Sequence, residues 1–574
     1  MYKYIKKRDG RTEDFKTDTF NQAIENAATA VGHIIDIDVV SETAIQILKE
    51  NNTSDTTTVE ESLDAIEISL MKNNYPDVAK AFIIYRNKHA RQREQNSVFT
   101  KAIDLISLDF EIKGNAAEFL WEIAHITSYY YSLYKILPQK ITHYFTENYI
   151  WIHSLPYFGR TIRNISYDLE EVFKTEYFKK KNMNPPKRVM VLMNHIIQLD
   201  SAIHDDIGGE HVYQNFDISI NNLIENLSQK PNKSDIQQAA EYFVYTLNNA
   251  SVTHTRNKVK TPCINIGKNT SEPGNIFIEC MLDSLLKISE NGVYGLPYIV
   301  YKINNNNWSD DSNNKNILHK TITLAQKRGN VSFVWDNNEE EDNVYFSNGL
   351  KNQTSQSVNL QLTLNLPKIA LNSKDNNLYG NINLILDIID EIVSMNTKML
   401  NERTIDNFPT INQFKINEKY YSGETKFSNI FNDSIIVIGM FGLMEAIKIL
   451  NPDLSLLESS EQAELITNKL KKRIHLQNKK YKLMPIYDLK IVNAIYDGEK
   501  QRSQLSNKGI TGYSPGITLL PIGYNVKDRI NLEEKTYANF DMPVQVLILK
   551  DRDKGEILEG IQKIKDKNAM ITII

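Results

Sequence analysis

Lys6-Lys7-Arg8-Asp9-Gly10-Arg11 opens the first organised stretch of the chain, and Asp77-Val78-Ala79-Lys80-Ala81-Phe82-Ile83-Ile84-Tyr85-Arg86 closes it. Tyr2-Lys3-Tyr4-Ile5-Lys6 alternates in polarity, and Asp9-Gly10 is a strong type I′ turn signal, so a short hairpin is predicted here. Apolar residues then recur at helical spacing through Ala23, Ile24, Ala27 and Ala28. A second helix is predicted from Val59 to Leu70, after a Thr-rich segment that offers caps. Pro76 separates it from a third helix, which runs into the basic cluster Arg86, Lys88, His89, Arg91 and Arg93, the expected hinge.

A nucleoside triphosphate needs hydrogen-bond donors and positive charge close together, and a glycine turn lets backbone amides approach phosphates with no side chain in the way. Lys7, Arg8 and Arg11 around Asp9-Gly10 supply this arrangement, with Lys80 and Arg86 added from the later helix. A basic hairpin alone is usually a solvated turn. The hairpin at the start of the chain, with the AKAFIIYR helix at the end of the segment, resembles the ATP-cone, the allosteric module at the N-terminus of ribonucleotide reductases. The resemblance implies ATP or dATP as effector, with magnesium left open, held by Lys7, Arg8, Asp9, Gly10, Arg11, Lys80 and Arg86. One departure is visible: where many cones have a lysine at the start of the first helix, this chain reads Asp18-Thr19-Phe20.

Composition sets outer limits. The 574 residues allow several domains or one small head on a large barrel. Hydrophobic content of 41% and charged content of 24% are ordinary for a globular protein. A net charge of -5 argues against chain-wide nucleic-acid binding. No run of about 18 apolar residues and no leader pattern is present, so no membrane partner and a cytoplasmic address are expected. The two cysteines, Cys263 and Cys280, exclude a disulfide framework and any four-thiolate metal site within the chain.

From residue 96 onward, helical segments alternate with short strands. Pro185-Pro186 precedes an apolar helix from Val189 to Ile197, while Asn304 to Asn316 and Glu339-Glu340-Glu341-Asp342 read as surface loops. No internal repeat and no dividing linker is visible.

Several further stretches follow one another along the body of the chain. Asn148-Tyr149-Ile150-Trp151-Ile152-His153-Ser154-Leu155-Pro156-Tyr157 comes first, and Asn164 and Asp168-Leu169 follow it. Ile207-Gly208-Gly209-Glu210 with Phe216-Asp217 resembles a GGQS…FD turn. Asn248, Thr261-Pro262-Cys263-Ile264-Asn265-Ile266-Gly267 and Leu296-Pro297 come next. Leu364-Asn365-Leu366-Pro367-Lys368-Ile369-Ala370 and Ile438-Gly439-Met440-Phe441-Gly442-Leu443-Met444-Glu445-Ala446 complete the series. Taken in order, these stretches resemble the catalytic subunit of class III anaerobic ribonucleoside-triphosphate reductase, the first of them being similar to the family's entry strand. The resemblance implies an α/β fold: an ATP-cone of small β-hairpin plus helices at residues 1–95, then a ten-stranded α/β barrel at 96–574.

In the family, reduction uses a thiyl radical on a finger-loop cysteine, a second cysteine on the first barrel strand, and a glycyl radical near the C-terminus. Here the finger-loop region reads Tyr345-Phe346-Ser347-Asn348-Gly349-Leu350-Lys351, and Asn164 is followed by Ile165-Ser166. The chain ends at Asn568-Ala569-Met570-Ile571-Thr572-Ile573-Ile574, about where the zinc module and radical loop would begin, and Thr511-Gly512-Tyr513-Ser514-Pro515-Gly516 departs from the family's YTNS. No catalytic residue, zinc or glycyl radical is therefore expected.

Cys263 and Cys280 read as small buried hydrophobes. His204-Asp205-Asp206 and His211 are placed at a turn before a strand, with a spacing that matches no standard metal pattern, so no metal ligand is assigned. His153 reads as a hydrogen-bonded structural histidine. There is no G-x-x-x-x-G-K-[ST], G-x-S-x-G or G-x-G-x-x-G in a strand-turn-helix context.

The resulting expectation is a catalytically inactive, regulatory or structural reductase homologue that binds ATP or dATP and forms homo-oligomers, dimer or higher, with an active reductase paralogue as a further candidate partner. The alternative is a reductase subunit that needs a radical-bearing partner chain in trans.

Overall fold

The computed structural model describes residues 4–6, 11–51, 55–87, 100, 116–249, 262–269, 271–290, 297–308, 315–337, 343–353, 357–373, 378–413, 423–430, 434–487, 517, 525–548 and 553–573. The chain divides into two compact units, residues 1–113 and 114–574.

In the first unit, β1 (Tyr4–Lys6) pairs antiparallel with β2 (Thr12–Asp14) and parallel with β3 (Thr56–Thr58). The Thr-rich segment is thus both a strand and a cap: Thr58 accepts from the amide of Glu61, and the Glu61 carboxylate accepts from the amide of Thr58. This reciprocal box starts α3 (Val59–Lys72). Before it come α1 (Thr17–Val31), which ends at Gly32 in the left-handed conformation, and α2 (Ile37–Asn51), a helix beyond the three read from the sequence. A fourth helix spans 76–87. Their apolar stripes meet in one core built from Phe20, Ile24, Val40, Ile66, Leu70 and Phe82.

The second unit is a nearly closed barrel. Its ten strands run in the spatial order β14 (Tyr481–Pro485), β13 (Ile435–Phe441), β12 (Ser357–Asn365), β5 (Asn164–Asp168), β6 (His211–Gln214), β7 (Pro262–Ile266), β8 (Tyr298–Ile303), β9 (Val331–Trp335), β16 (Ala569–Ile573) and β15 (Val544–Ile548). A short β4 (Ile150–Ile152) also pairs with β12. Strands β5 to β9 are mutually parallel, as are β12 to β14 and β15 with β16. Antiparallel seams at β5/β12 and β9/β16 join the two five-stranded halves. At the open seam, Leu483 donates its amide to Asp541 Oδ2 at 2.7 Å and Asp541 returns its amide to the Leu483 carbonyl at 3.0 Å. Parallel strands covered on both faces are apolar along their length, and β7 and β13 are buried at every position.

Two stretches singled out in the sequence meet in space. Gly442, at φ +68°, ends β13, and a Cβ there would lie 2.4 Å from Pro367 Cγ. The LNLPKIA turn therefore requires a glycine opposite its proline. A second pairing joins Phe216-Asp217 to the Asn265-x-Gly267 segment: Asp217 Oδ2 accepts the amides of Gly267, Lys268 and Asn269 at 2.8 to 2.9 Å.

The helix beginning at Val189 does not stop near Ile197 but runs to Asp206, so His204, Asp205 and Asp206 form its last turn rather than a loop. No glycine or proline interrupts it before Gly208.

Candidate functional site

Between β9 and β12 the chain makes a hairpin, β10 (Asn343–Tyr345) and β11 (Lys351–Gln353), that enters the barrel lumen. Side chains from both halves of the barrel grip it. From β7, Asn265 donates through Nδ2 to the Tyr345 carbonyl at 2.7 Å and accepts the Tyr345 amide at 2.8 Å. Glu210, just before β6, accepts the Ser347 amide at 3.0 Å. From β15, Gln545 donates to the Ser347 carbonyl at 2.9 Å. Lys302 of β8 donates to the Asn343 carbonyl and to Asn215 Oδ1. The tip turns at Gly349, φ +85°, where a Cβ would press on Gln545 at 3.0 Å.

Cys263, buried on β7, directs its Sγ to the Tyr345 carbonyl at 3.7 Å, a weak thiol contact beneath the hairpin. Burial, then the neighbouring Glu210, push this thiol well above its ordinary range, so it stays protonated. Burial likewise raises the Glu210 carboxyl to about 7, against the opposing pull of the Ser347 amide. Ser166 is in register with Val212, and Val212 with Cys263, so Ser166 faces the same lumen. Cys263 is therefore a lumen thiol as well as a buried small residue. Its partner Glu210 was not singled out by chemistry in the sequence, because its contacts lie on a hairpin more than a hundred residues away. Cys280 lies half-buried on helix Glu272–Ser289.

The wall beside β12 is also polar. Arg163 donates to Gln361 Oε1 at 2.9 Å and to Ser154 Oγ, and His153 Nε2 shares a 2.7 Å hydrogen bond with Thr363 Oγ1. Burial, then Arg163, hold His153 well below its ordinary pKa, so it is a neutral hydrogen-bonded histidine.

In the first unit, Lys7, Arg8, Asp9 and Gly10 lie outside the described residues, as does the Thr19 side chain. Arg11 and Lys80 are exposed. Arg86 is differently engaged: its guanidinium reaches Glu60 at 2.8 Å, Asp64, and Glu67 at 3.6 Å, all on α3. Lys16, immediately before α1, is an exposed cation close to the Asp18-Thr19-Phe20 stretch. Of the other sequence readings, Thr261, Leu296, Glu339-Glu340-Glu341-Asp342 and Thr511–Gly516 lie outside the described residues.

A ten-stranded barrel of two antiparallel five-stranded halves, with a hairpin inserted at its centre, defines the reductase type of fold. The family model described as anaerobic ribonucleoside-triphosphate reductase matches residues 112–489, and that of the ATP cone domain matches residues 3–91. The chain belongs to the anaerobic ribonucleoside-triphosphate reductase family and carries an ATP cone. It is similar to the anaerobic ribonucleoside-triphosphate reductase of Salmonella typhimurium, with 25% identity over 226 residues, 36% of this chain and 31% of the relative. A Haemophilus influenzae relative of the same description is 27% identical over 209 residues, 32% of this chain and 28% of its own length. The matched stretch thus spans less than a third of these relatives. In fold, the chain resembles the anaerobic ribonucleotide reductase from Thermotoga maritima with dATP bound in the specificity site, with a TM-score of 0.65, 13% identity, and coverage of 82% of this chain and 87% of that one. The same reductase in complex with dATP and CTP gives a TM-score of 0.64, 12% identity, and coverage of 84% and 90%. Among the described residues, no helix is long and apolar enough to cross a membrane.

Proposed function

We propose that this chain binds ATP or dATP through its cone and does not itself reduce ribonucleotides, acting as a regulatory or structural member of the family through nucleotide-dependent association of its copies. The observation that carries this reading is the hairpin tip: Phe346-Ser347-Asn348-Gly349-Leu350 stands in the lumen with no sulfur, and Ser166 faces it from β5. Abstraction of hydrogen from a ribose needs a thiyl radical, and a serine O–H is far too strong a bond to take that role. The nucleotide is held by Lys7, Arg8, Asp9, Gly10 and Arg11 with Lys80. Arg86, tied to three carboxylates, orients the helix that carries Lys80. The family model of the ATP cone domain over residues 3–91 supports this reading; the solved reductase with dATP in its specificity site supports nucleotide binding by the fold, not by the cone.

Thermal unfolding with ATP and dATP tests the binding half of the proposal. At about a hundred times the dissociation constant, ligand linkage adds about 2.7 kcal/mol to the stability of the unit that binds. Light scattering on the same samples reads the change in association state. Unchanged melting at millimolar nucleotide rejects the proposal.

A second reading, a reductase subunit that needs a radical-bearing partner chain in trans, is favoured by one feature, the lumen thiol of Cys263 against the hairpin. Deoxynucleotide formation that appears only with such a partner and is lost in Cys263→Ser would select it.

A further inference from the structure

Behind β6, on the face turned away from the lumen, three buried side chains converge. Asp200 and His204 lie one turn apart on helix Val189–Asp206, and His211 opens β6. Asp200 Oδ1 is 3.0 Å from His211 Nε2, and Asp200 Oδ2 is 3.6 Å from His204 Nε2. The three ligand-capable atoms lie within 4.8 Å of one another. We propose that Asp200, His204 and His211 form a site for one divalent transition-metal ion, with zinc as the preferred occupant, that fastens the end of this helix to the barrel wall.

Geometry and donor chemistry both point this way. A tetrahedral zinc ion with bonds of about 2.0 to 2.1 Å holds neighbouring ligand atoms about 3.3 to 3.4 Å apart. Asp200 stands between the two rings, with Oδ1 3.0 Å from His211 and Oδ2 3.6 Å from His204, so each oxygen lies near that spacing from one imidazole; the 3.6 Å separation is too long for a hydrogen bond. Two imidazoles with one carboxylate form a three-ligand set suited to zinc, with the fourth tetrahedral position left to a water molecule. An outer layer is also in place. Tyr167 Oη lies 3.0 Å from His211 Nδ1, where it can fix the ring with Nε2 directed at the ion, and Tyr213 donates to Asp200 Oδ1 at 3.3 Å. Asp200, His204 and His211 are 2%, 5% and 0% exposed, so a bound ion is sealed from substrates and its role is structural. The ligands flank the Gly208-Gly209 turn, the link from helix to strand that also positions Glu210.

The full chain, without a histidine tag, is stripped with chelator and dialysed against Zn2+ or Co2+, and bound metal is measured by mass spectrometry. The expected result is about one equivalent per chain, with the intense visible bands of tetrahedral Co2+. His204→Gln, which keeps most of the side-chain volume, is expected to lower occupancy at least tenfold, and Tyr167→Phe to weaken binding by about 10- to 100-fold. A wild-type chain that retains less than about a tenth of an equivalent of either metal overturns the proposal. Equal loading of wild type and His204→Gln overturns it too, because the metal then sits elsewhere. Should His204→Gln fail to fold, wild-type stoichiometry and Tyr167→Phe decide on their own.

Discussion

Glu210 and His211 are neighbours in the chain and face opposite sides of the barrel wall. Glu210 turns inward to the hairpin, where it accepts a backbone amide, and His211 turns outward to Asp200 on the covering helix. Inside, polar side chains hold backbone groups that arrive from far along the chain: Asn265 and Tyr345 are 80 residues apart. Outside, side chains meet side chains, and every partner lies between Tyr167 and Tyr213. The inner arrangement fixes the position of a hairpin that cannot fold alone. The outer one closes a local unit of helix, turn and strand.

The contrast can be broken by substitution. The largest loss is expected in Asp217→Ala, which strands three backbone amides at once, two of them buried and one partly so; about 4 kcal/mol should be lost, read as a lowered unfolding transition of the barrel. Next comes the lumen. Asn265→Leu leaves both the amide and the carbonyl of Tyr345 without their partner and should cost about 3 kcal/mol, with enhanced amide exchange confined to 343–353. On the outer face, Tyr213→Phe removes one 3.3 Å hydrogen bond to Asp200 and should cost about 1 kcal/mol without altering exchange in the hairpin. If Asn265→Leu and Tyr213→Phe loosen the hairpin equally, the two faces are not independent. The smallest effect belongs to the cone: Arg86→Ala breaks partly exposed ion pairs to α3 and should cost about 0.5 kcal/mol, less still at high salt.

The same contrast explains what the sequence could reveal. Pro367 opposite Gly442, and Asp217 beneath Gly267, leave marks in sequence because each demands one residue type at one place; such stretches, taken in order, carried the fold. The Asp-Gly turn and the periodic apolar residues likewise marked the cone, although α2 lacked comparable punctuation. Glu210 could not be recognised, since its meaning depends on a hairpin 137 residues away. In the outer cluster, His204 and His211 stand out in the sequence but Asp200 does not, for a different reason. With the helix ending near Ile197, as the apolar run alone predicts, Asp200 has no defined face and His204 falls in a turn. Once the helix reaches Asp206, the four-residue spacing puts Asp200 and His204 together. In the cone, charge alone does not show that Glu60, Asp64 and Glu67 of α3 engage Arg86.

On the proposed function, the lumen keeps the form of a reductase site while its hairpin tip presents Ser347 in place of a thiol. The most direct test is anaerobic incubation of labelled ribonucleoside triphosphates with the full chain, a radical-generating activase and a reductant, alongside an active reductase as control, with ATP binding measured on the same preparation. The account predicts ATP binding and no deoxynucleotide above background. Deoxynucleotide formed by this chain without a second reductase chain would contradict it.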